Sequence, residues 1–202
     1  MPLWLAPQPL ILASRSAARR AMLTAAGIPV ELAPADIDER AIEGRAGALG
    51  PSEAATLLAR EKARAAGARF AGRFVVGADQ TLALGAQRFS KPADASAARE
   101  QLRALAGRSH ELHSAVAVAR DGRVVFSHVD TARLTMRALS DRFIDVYVEA
   151  AAADAMASVG GYQLEKLGVH LFERIEGDHF TILGMPLLPL VAFLRREGQL
   201  AS

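Results

Sequence analysis

Apolar residues along this chain come in short runs cut by glycine and by polar clusters, and their spacing changes character near the middle. Leu10 to Ala13 is a first strand signal. Ser14-Arg15-Ser16 turns the chain into a predicted helix from about Ala17 to Ala26, with Ser16 as N-cap and Gly27 as the stop. Val30 to Ala33 predicts a second short strand, and the polar stretch from Asp36 through Gly50 predicts a loop. Pro51, at a first helical position with Glu53 behind it, opens a helix that reaches Ala66 and carries Ala55, Leu57 and Leu58 on one side. The β-branched run in Arg73 to Ala78 predicts a buried strand, which Thr81 to Leu84 extends towards the Gly85 turn. Asp94 caps a predicted helix from Ala95 to Ala106 that Gly107 closes.

Beyond that point the pattern alternates. His110 to Ala119 and Arg123 to Ala138 have period two, and Asp121-Gly122 between them is a type I′ hairpin signal. Ser140 caps a helix from Asp141 to about Ala151, Gly160-Gly161 breaks the chain, Val169 to Ile175 predicts a strand, and Pro186 to Arg196 a last helix ended by Gly198. Helix-linked strands followed by a long hairpin predict an α/β fold with a mixed sheet rather than a purely parallel one, in one domain over residues 1–202.

Composition narrows the classes. With 202 residues, 51% hydrophobic and 23% charged, the chain is globular and can bury a large core. A net charge of only +2 predicts no nucleic-acid partner, and the absence of cysteine excludes disulfides, thiolate metal sites and a cysteine nucleophile. Met1-Pro2-Leu3-Trp4 has no basic leader character, and no run reaches the roughly 18 apolar residues of a membrane span. The expectation is a cytoplasmic protein without membrane contact.

Candidate chemistry gathers around Phe74-Val75-Val76-Gly77-Ala78-Asp79-Gln80 and Lys91-Pro92. A strand that ends in Gly and then a carboxylate is expected to deliver Asp79 to a sheet edge facing a cleft. Only Lys62, Lys91 and Lys166 are lysine among the 24 basic residues. A compact ammonium suits a single phosphate or carboxylate oxygen as a point charge, whereas guanidinium prefers planar two-point contacts. Ser14 to Ser16, with Arg19 behind them, place hydroxyls and a helix N-terminus where an anion can be held. Asp36, Asp38 and Glu39 offer hard oxygen ligands for magnesium. The five histidines show no paired zinc spacing and are read as structural or surface residues. Cations, hydroxyls and carboxylates together point to a polyphosphate and a divalent metal. No glycine-rich phosphate loop or kinase signature is present, which disfavours a kinase.

Leu-Ile-Leu-Ala-Ser-Arg-Ser near the N-terminus, Asp-Ile-Asp-Glu, Arg-Glu-Lys-Ala, Val-Gly-Ala-Asp-Gln, Lys-Pro-Ala-Asp, Leu-Ala-Gly-Arg-Ser-His and Leu-Gly-Met-Pro-Leu follow one another in this order. In that order they resemble the Maf family over nearly the whole chain. The resemblance implies a nucleoside triphosphate pyrophosphatase that cleaves between the α and β phosphates, an elongated mixed sheet with two lobes around a cleft, and a homodimer. It also implies a divalent cation, Mg²⁺ or Mn²⁺, held at Glu39 and Asp79. Asp79 matches the family's proton acceptor, Lys62 and Lys91 its phosphate-contacting lysines, and Ser14 and Arg19 its N-terminal phosphate loop. A nucleotide-binding regulator of cell division with negligible turnover is the alternative reading.

The chain departs from the family's Ser-x-Ser-Pro loop, since Ala17 stands in place of the proline and Ala18 in place of the next, larger side chain. Gln80 and Glu165 match the pair that accompanies 7-methyl-GTP in the family, whereas Thr and Gln accompany dTTP and UTP. A carboxylate at Glu165 accepts hydrogen bonds from a guanine N1–H and amine and favours a cationic methylated ring. Ala18 removes the stacking surface that a tryptophan supplies in that group, so base specificity rests on Ala18, Gln80 and Glu165 together.

Overall fold

The computed structural model describes residues 3–46 and 49–201. The first two residues, and the part of the expected loop at residues 47–48, lie outside the described residues. In chain order the elements are β1 (Leu10–Leu12), α1 (Ala17–Ala25), β2 (Val30–Leu32), α2 (Glu39–Ala46), α3 (Pro51–Gly67), β3 (Phe74–Leu84) and β4 (Gln87–Phe89). They continue as α4 (Ala95–Leu105), β5 (Ser109–Arg120), β6 (Arg123–Met136), α5 (Asp141–Ala151), α6 (Ala153–Ala157), β7 (Phe172–Glu176), α7 (His179–Ile182) and α8 (Leu187–Arg196). The strands form one seven-stranded sheet in the order β2-β1-β3-β5-β6-β7, with β4 also on β3. β1 runs parallel to β2 and β3, and the remaining pairs are antiparallel. The mixed α/β architecture read from the sequence is the one observed.

Local chemistry explains most boundaries. The Ser16 hydroxyl accepts from the Arg19 N–H at 3.4 Å, the Asp94 carboxylate from Ala97 at 2.8 Å, and the Ser140 hydroxyl from Phe143 at 3.2 Å, so each expected cap operates. Asp121 and Gly122 have φ of 52° and 72°, the two positive values that a type I′ turn needs to match strand twist.

Three expectations are corrected. Part of the stretch from Asp36 to Gly50 is helical, not loop. Asp38 caps α2 by accepting from the Ala41 N–H at 2.9 Å, but Ile42 is its one large apolar side chain, so periodicity gave no sign of it. The strand expected over Val169 to Ile175 starts only at Phe172, after a 3₁₀ turn at Leu167–Leu171. Asp79 does not end a strand: β3 continues unbroken through it to Leu84.

Strand alternation sorts the two faces of the sheet. On one, Val75, Gly77 and Asp79 of β3 lie across from Ala119, Ala117 and Ala115 of β5. α3 covers this face with its own buried alanines, Ala55, Ala59 and Ala63. Small residues on both sides let backbones approach closely. A Cβ at Gly77 would sit 2.2 Å from the Ala59 carbonyl oxygen and 2.5 Å from the Ala63 nitrogen. The opposite face carries two cores. Val76, Val116 and Val118 pack under Leu23 of α1 and Leu190 and Leu194 of α8. Leu82, Leu112 and Leu134 pack under Leu102 of α4 and Ile144 and Val148 of α5. Between these two lobes the paired residues Gln80 and Ser114 form a polar row.

Gly77→Ala is therefore expected to lose about 3 kcal/mol in urea unfolding, the upper end for an overpacked core. In the helix α2, nothing lies within 4 Å of a Cβ added at Gly44. Gly44→Ala is the control and should gain roughly 0.5–1 kcal/mol. Equal effects of the two substitutions would show that α3 does not press on β3.

Candidate active site

The site is built where β3 has no neighbour along one edge. β1 pairs with β3 only as far as Leu12 opposite Val76, and β4 takes up the same edge at Leu82. β5 covers the other edge throughout this stretch. The gap leaves Asp79 in mid-strand yet facing a cleft, with a rigid backbone on both sides. A strand end is one way to expose a strand residue; a change of edge partners, as here, is another.

The cleft has a volume of about 760 Å³. Most of the residues singled out from sequence line it: Ser14, Ala18 and Arg19 from the β1–α1 turn, Asp36 before α2, Glu39 and Lys62 from α2 and α3, Asp79 and Gln80 from β3, Lys91 after β4, and Glu165 before the last strand, whereas Asp38 is not among the lining residues and caps α2.

Asp79 is buried, and one of its oxygens accepts from the Lys62 ammonium at 2.6 Å. The same ammonium lies 3.0 Å from Glu39, which is half exposed on α2. Close seating of α3 over Gly77 brings Lys62 to this position, one turn along from Ala59 and beside Ala63. Burial pushes the Asp79 carboxyl above the usual carboxylate range, and the nearby charges of Lys62 and Arg19 only partly offset it. Lys91 reaches solvent at the cleft rim, but partial desolvation, with Arg19 and Lys62 close by, holds it below the ordinary lysine value.

Arg19 closes the gap structurally. Its guanidinium donates to the Ala78 carbonyl at 2.9 Å, a β3 acceptor in the gap between β1 and β4. It also donates to the Gly184 carbonyl at 2.8 Å and the Ser14 hydroxyl at 3.2 Å. Three of its five N–H groups are thus occupied, and Nη2 keeps two for a ligand. Ser14 accepts from both Arg19 and the Ser16 N–H, which leaves its own proton free to donate. The first N–H groups of α1, at Ala17 and Ala18, have no carbonyl one turn back. Together these set uncommitted N–H and O–H donors beside the buried carboxylate.

Some functional groups escaped the sequence reading. Ser114 and the carbonyls of Thr181 and Ile182 hold the Gln80 amide, and no local motif marks them. Lys166, conspicuous as a rare lysine, pairs with Asp154 at 2.8 Å on the cleft wall. His110 is buried, bonded to the Tyr162 hydroxyl at 2.7 Å, and burial lowers it to about 4, consistent with a structural histidine.

The cleft thus sets a buried carboxylate among three cations at the open edge of the mixed sheet of an α/β protein. The chain belongs to the Maf family, whose model, described as Maf-like protein, matches residues 9–197. It is 58% identical over 201 residues, with 100% of each chain covered, to a nucleoside triphosphate pyrophosphatase of Rhodopseudomonas palustris (strain HaA2). It is 56% identical, again with 100% of both chains covered, to a protein of the same name from Bradyrhizobium diazoefficiens. A 7-methyl-GTP pyrophosphatase of Mesorhizobium japonicum is 50% identical over 191 residues, 94% of this chain and 96% of that one. Among solved structures, a HAM1 protein from Coxiella burnetii overlaps 63% of this chain and 72% of its own at 18% identity and a TM-score of 0.43.

An NMR titration of the Asp79 carboxyl carbon is expected to show a midpoint above the ordinary 3.8, because burial outweighs the cations. Lys62→Met removes one of the charges that lowers it and should move the midpoint further up. A midpoint at or below 3.8 in the unsubstituted protein would mean that the cations win.

Proposed function

We propose that this protein is a nucleoside triphosphate pyrophosphatase that hydrolyses the α–β phosphoanhydride to a nucleoside monophosphate and pyrophosphate. The observation that carries this reading is Asp79: a buried carboxylate with raised proton affinity, fixed in mid-strand beside Lys62, Arg19 and Lys91. The names of relatives at 58% and 56% identity over the whole chain support it.

The geometry supports a role for each residue. The triphosphate lies along the β3 gap with its charges towards Arg19 Nη2, the Ser14 hydroxyl, Lys62 and Lys91. Asp79 takes the proton from a water whose oxygen attacks the α-phosphorus as the bond to the bridging oxygen breaks. A raised pKa makes it a stronger base than an ordinary carboxylate. Lys62 holds Asp79 in place, and the fixed cations stabilise the charge that develops on the departing pyrophosphate.

Asp79 and Glu39 are the residues that would hold a divalent cation. They fit one: both are hard oxygen donors, and both converge on the single ammonium of Lys62. Among the described residues no group of three or more His, Asp or Glu side chains is gathered, so water and substrate oxygens would complete the shell, as is usual for Mg²⁺. Bound there, Mg²⁺ or Mn²⁺ would neutralise charge on the triphosphate oxygens.

Base preference is part of the proposal. Gln80 and Glu165 share the cleft with Ala18, and Glu165 is exposed with no hydrogen bond or ion pair to a described residue. The reading favours 7-methyl-GTP over dTTP and UTP, in line with the name of the relative at 50% identity. Small Ala18 leaves room for other bases. A homodimer working in the cytoplasm, without nucleic-acid or membrane partners, completes it; among the described residues no helix is long and apolar enough to cross a membrane.

Asp79→Asn is expected to fold normally and lose about a hundredfold or more in pyrophosphate release, because an amide keeps the shape but accepts no proton. Wild-type turnover in this variant would remove Asp79 from the chemistry. Nucleotide binding with no pyrophosphate release from the unsubstituted protein would instead favour a regulatory role in cell division.

For the base, kcat/KM is compared among 7-methyl-GTP, dTTP and UTP, with the first expected highest. Glu165→Gln should shift the ratio towards the pyrimidines. A clear preference for dTTP or UTP in the unsubstituted enzyme would overturn the assignment.

A further inference from the structure

Three of the 24 basic residues in this chain are lysine, and all three, Lys62, Lys91 and Lys166, line the cleft. Among the described arginines only Arg15 and Arg19 do so. An ammonium on a flexible four-carbon stem can turn between partners and use its donors one at a time, which the planar guanidinium fork does less readily. Lys62 and Lys91 have places in the proposed reaction. Lys166 has none.

Lys166 stands on the wall of the cleft formed by the chain between α5 and β7. Its Nζ lies 2.8 Å from the Asp154 carboxylate of α6, and the two side chains are 50% and 42% exposed. An ion pair so open to water contributes little to stability. The wall does not need it. The Gln163 carbonyl accepts from both the Lys166 and the Gly168 N–H groups at 3.1 Å, and a Cβ at Gly168 would come within 2.3 Å of that oxygen. These contacts fix the turn that carries Lys166 through its backbone. At the other end of the wall Ala155 is buried beside Asp154, and the Gly160 N–H donates to the Gln101 side chain of α4 at 3.2 Å.

The other cations are largely committed. Lys62 is held between Asp79 and Glu39 at 2.6 and 3.0 Å, and Arg19 spends three N–H groups on Ala78, Gly184 and Ser14. The five basic side chains of the lining are matched by five carboxylates, Asp36, Glu39, Asp79, Asp154 and Glu165, so a polyanion enters a cleft without net formal charge. Lys166 is set apart from the Asp79 cluster: the charges that act on the Asp79 carboxyl are Lys62, Arg19 and Glu39. Of its three N–H donors one meets Asp154 and two remain. We infer that Lys166 is a further substrate-binding residue, which takes an oxygen of the β- or γ-phosphate away from the reacting phosphorus, while Asp154 competes for the same ammonium.

This rests on the reading of the cleft as a nucleoside triphosphate site. It gives the two members of the ion pair effects of opposite sign. A pair that only braced the wall would harm binding alike whichever side chain was removed. With Lys166 serving the substrate, loss of the lysine weakens binding and loss of the carboxylate strengthens it. The gain from removing Asp154 then exists only while the lysine is present, which separates it from a general change in the field of the cleft.

The test is equilibrium binding of the full-length chain to GMP and to the α,β-methylene analogue of GTP at one ionic strength, which does not depend on turnover. Lys166→Met should weaken binding of the triphosphate analogue about fivefold, the upper end for a solvent-exposed charge pair, and leave GMP binding nearly unchanged. Asp154→Asn should tighten the analogue about twofold, and should have no such effect when combined with Lys166→Met. Should Lys166→Met fail to fold, Lys166→Gln is read in the same way. Equal losses for GMP and the analogue, no loss for either, weaker binding in Asp154→Asn, or a tightening that persists without Lys166 overturns the inference. The expected binding pattern without any hydrolysis of GTP would sustain it while the catalytic proposal fell. If neither nucleotide binds the unsubstituted protein, the nucleotide reading falls and this inference with it.

Discussion

The seating of α3 on β3 at Gly77 is the contact on which the site depends. Alanines 55, 59 and 63 on the helix and alanines 115, 117 and 119 on β5 bring the two backbones together, and Gly77 removes the last Cβ between them. Only at that distance does the Lys62 ammonium reach Asp79 at 2.6 Å. A buried ion pair is a poor source of stability, since desolvating both charges opposes their attraction. The apolar packing around it must hold the pair in place. A pair kept at such a cost, at the lip of a large cleft, is better explained by chemistry than by folding.

The second constraint is the broken edge of β3. Continuous pairing with β5 on one side keeps the strand straight through Asp79, while the replacement of β1 by β4 on the other side opens it to the cleft. Arg19 covers the exposed Ala78 carbonyl that the gap creates, so a group well placed for phosphate also repairs the sheet. Alternation then divides the work between neighbours: the carboxylate and its cations on one face, Gln80 on the other. The polar row of Gln80 and Ser114 falls where the two cores meet, so the seam between the lobes lies under the same cleft.

Much of this was legible from residues alone where a local rule governs. Caps at Ser16, Asp94 and Ser140 and the Asp121-Gly122 turn depend on a few neighbouring atoms, and they are found as expected. Elements held by distant contacts were less legible. α2 has no apolar stripe, and its links to the rest include ion pairs from Glu39 to Lys62 and from Glu43 to Arg88. β4 is three residues long and defined by its partner, and the four-residue α7 is likewise too short to show a period.

By itself the sequence determined the alternation of helix and strand, the hairpin, the supply of charged and hydroxyl side chains, and the ordered motifs that mark the family. These follow from interactions over a few residues, or from residue types that the chemistry cannot do without. Tertiary structure alone decided that Asp79 lies buried in mid-strand, that Lys62 bridges it to Glu39, and that the Gln80 amide faces one way. Each of these depends on partners between 17 and 102 residues apart, brought together by the order of strands in the sheet and the depth to which α3 settles on it.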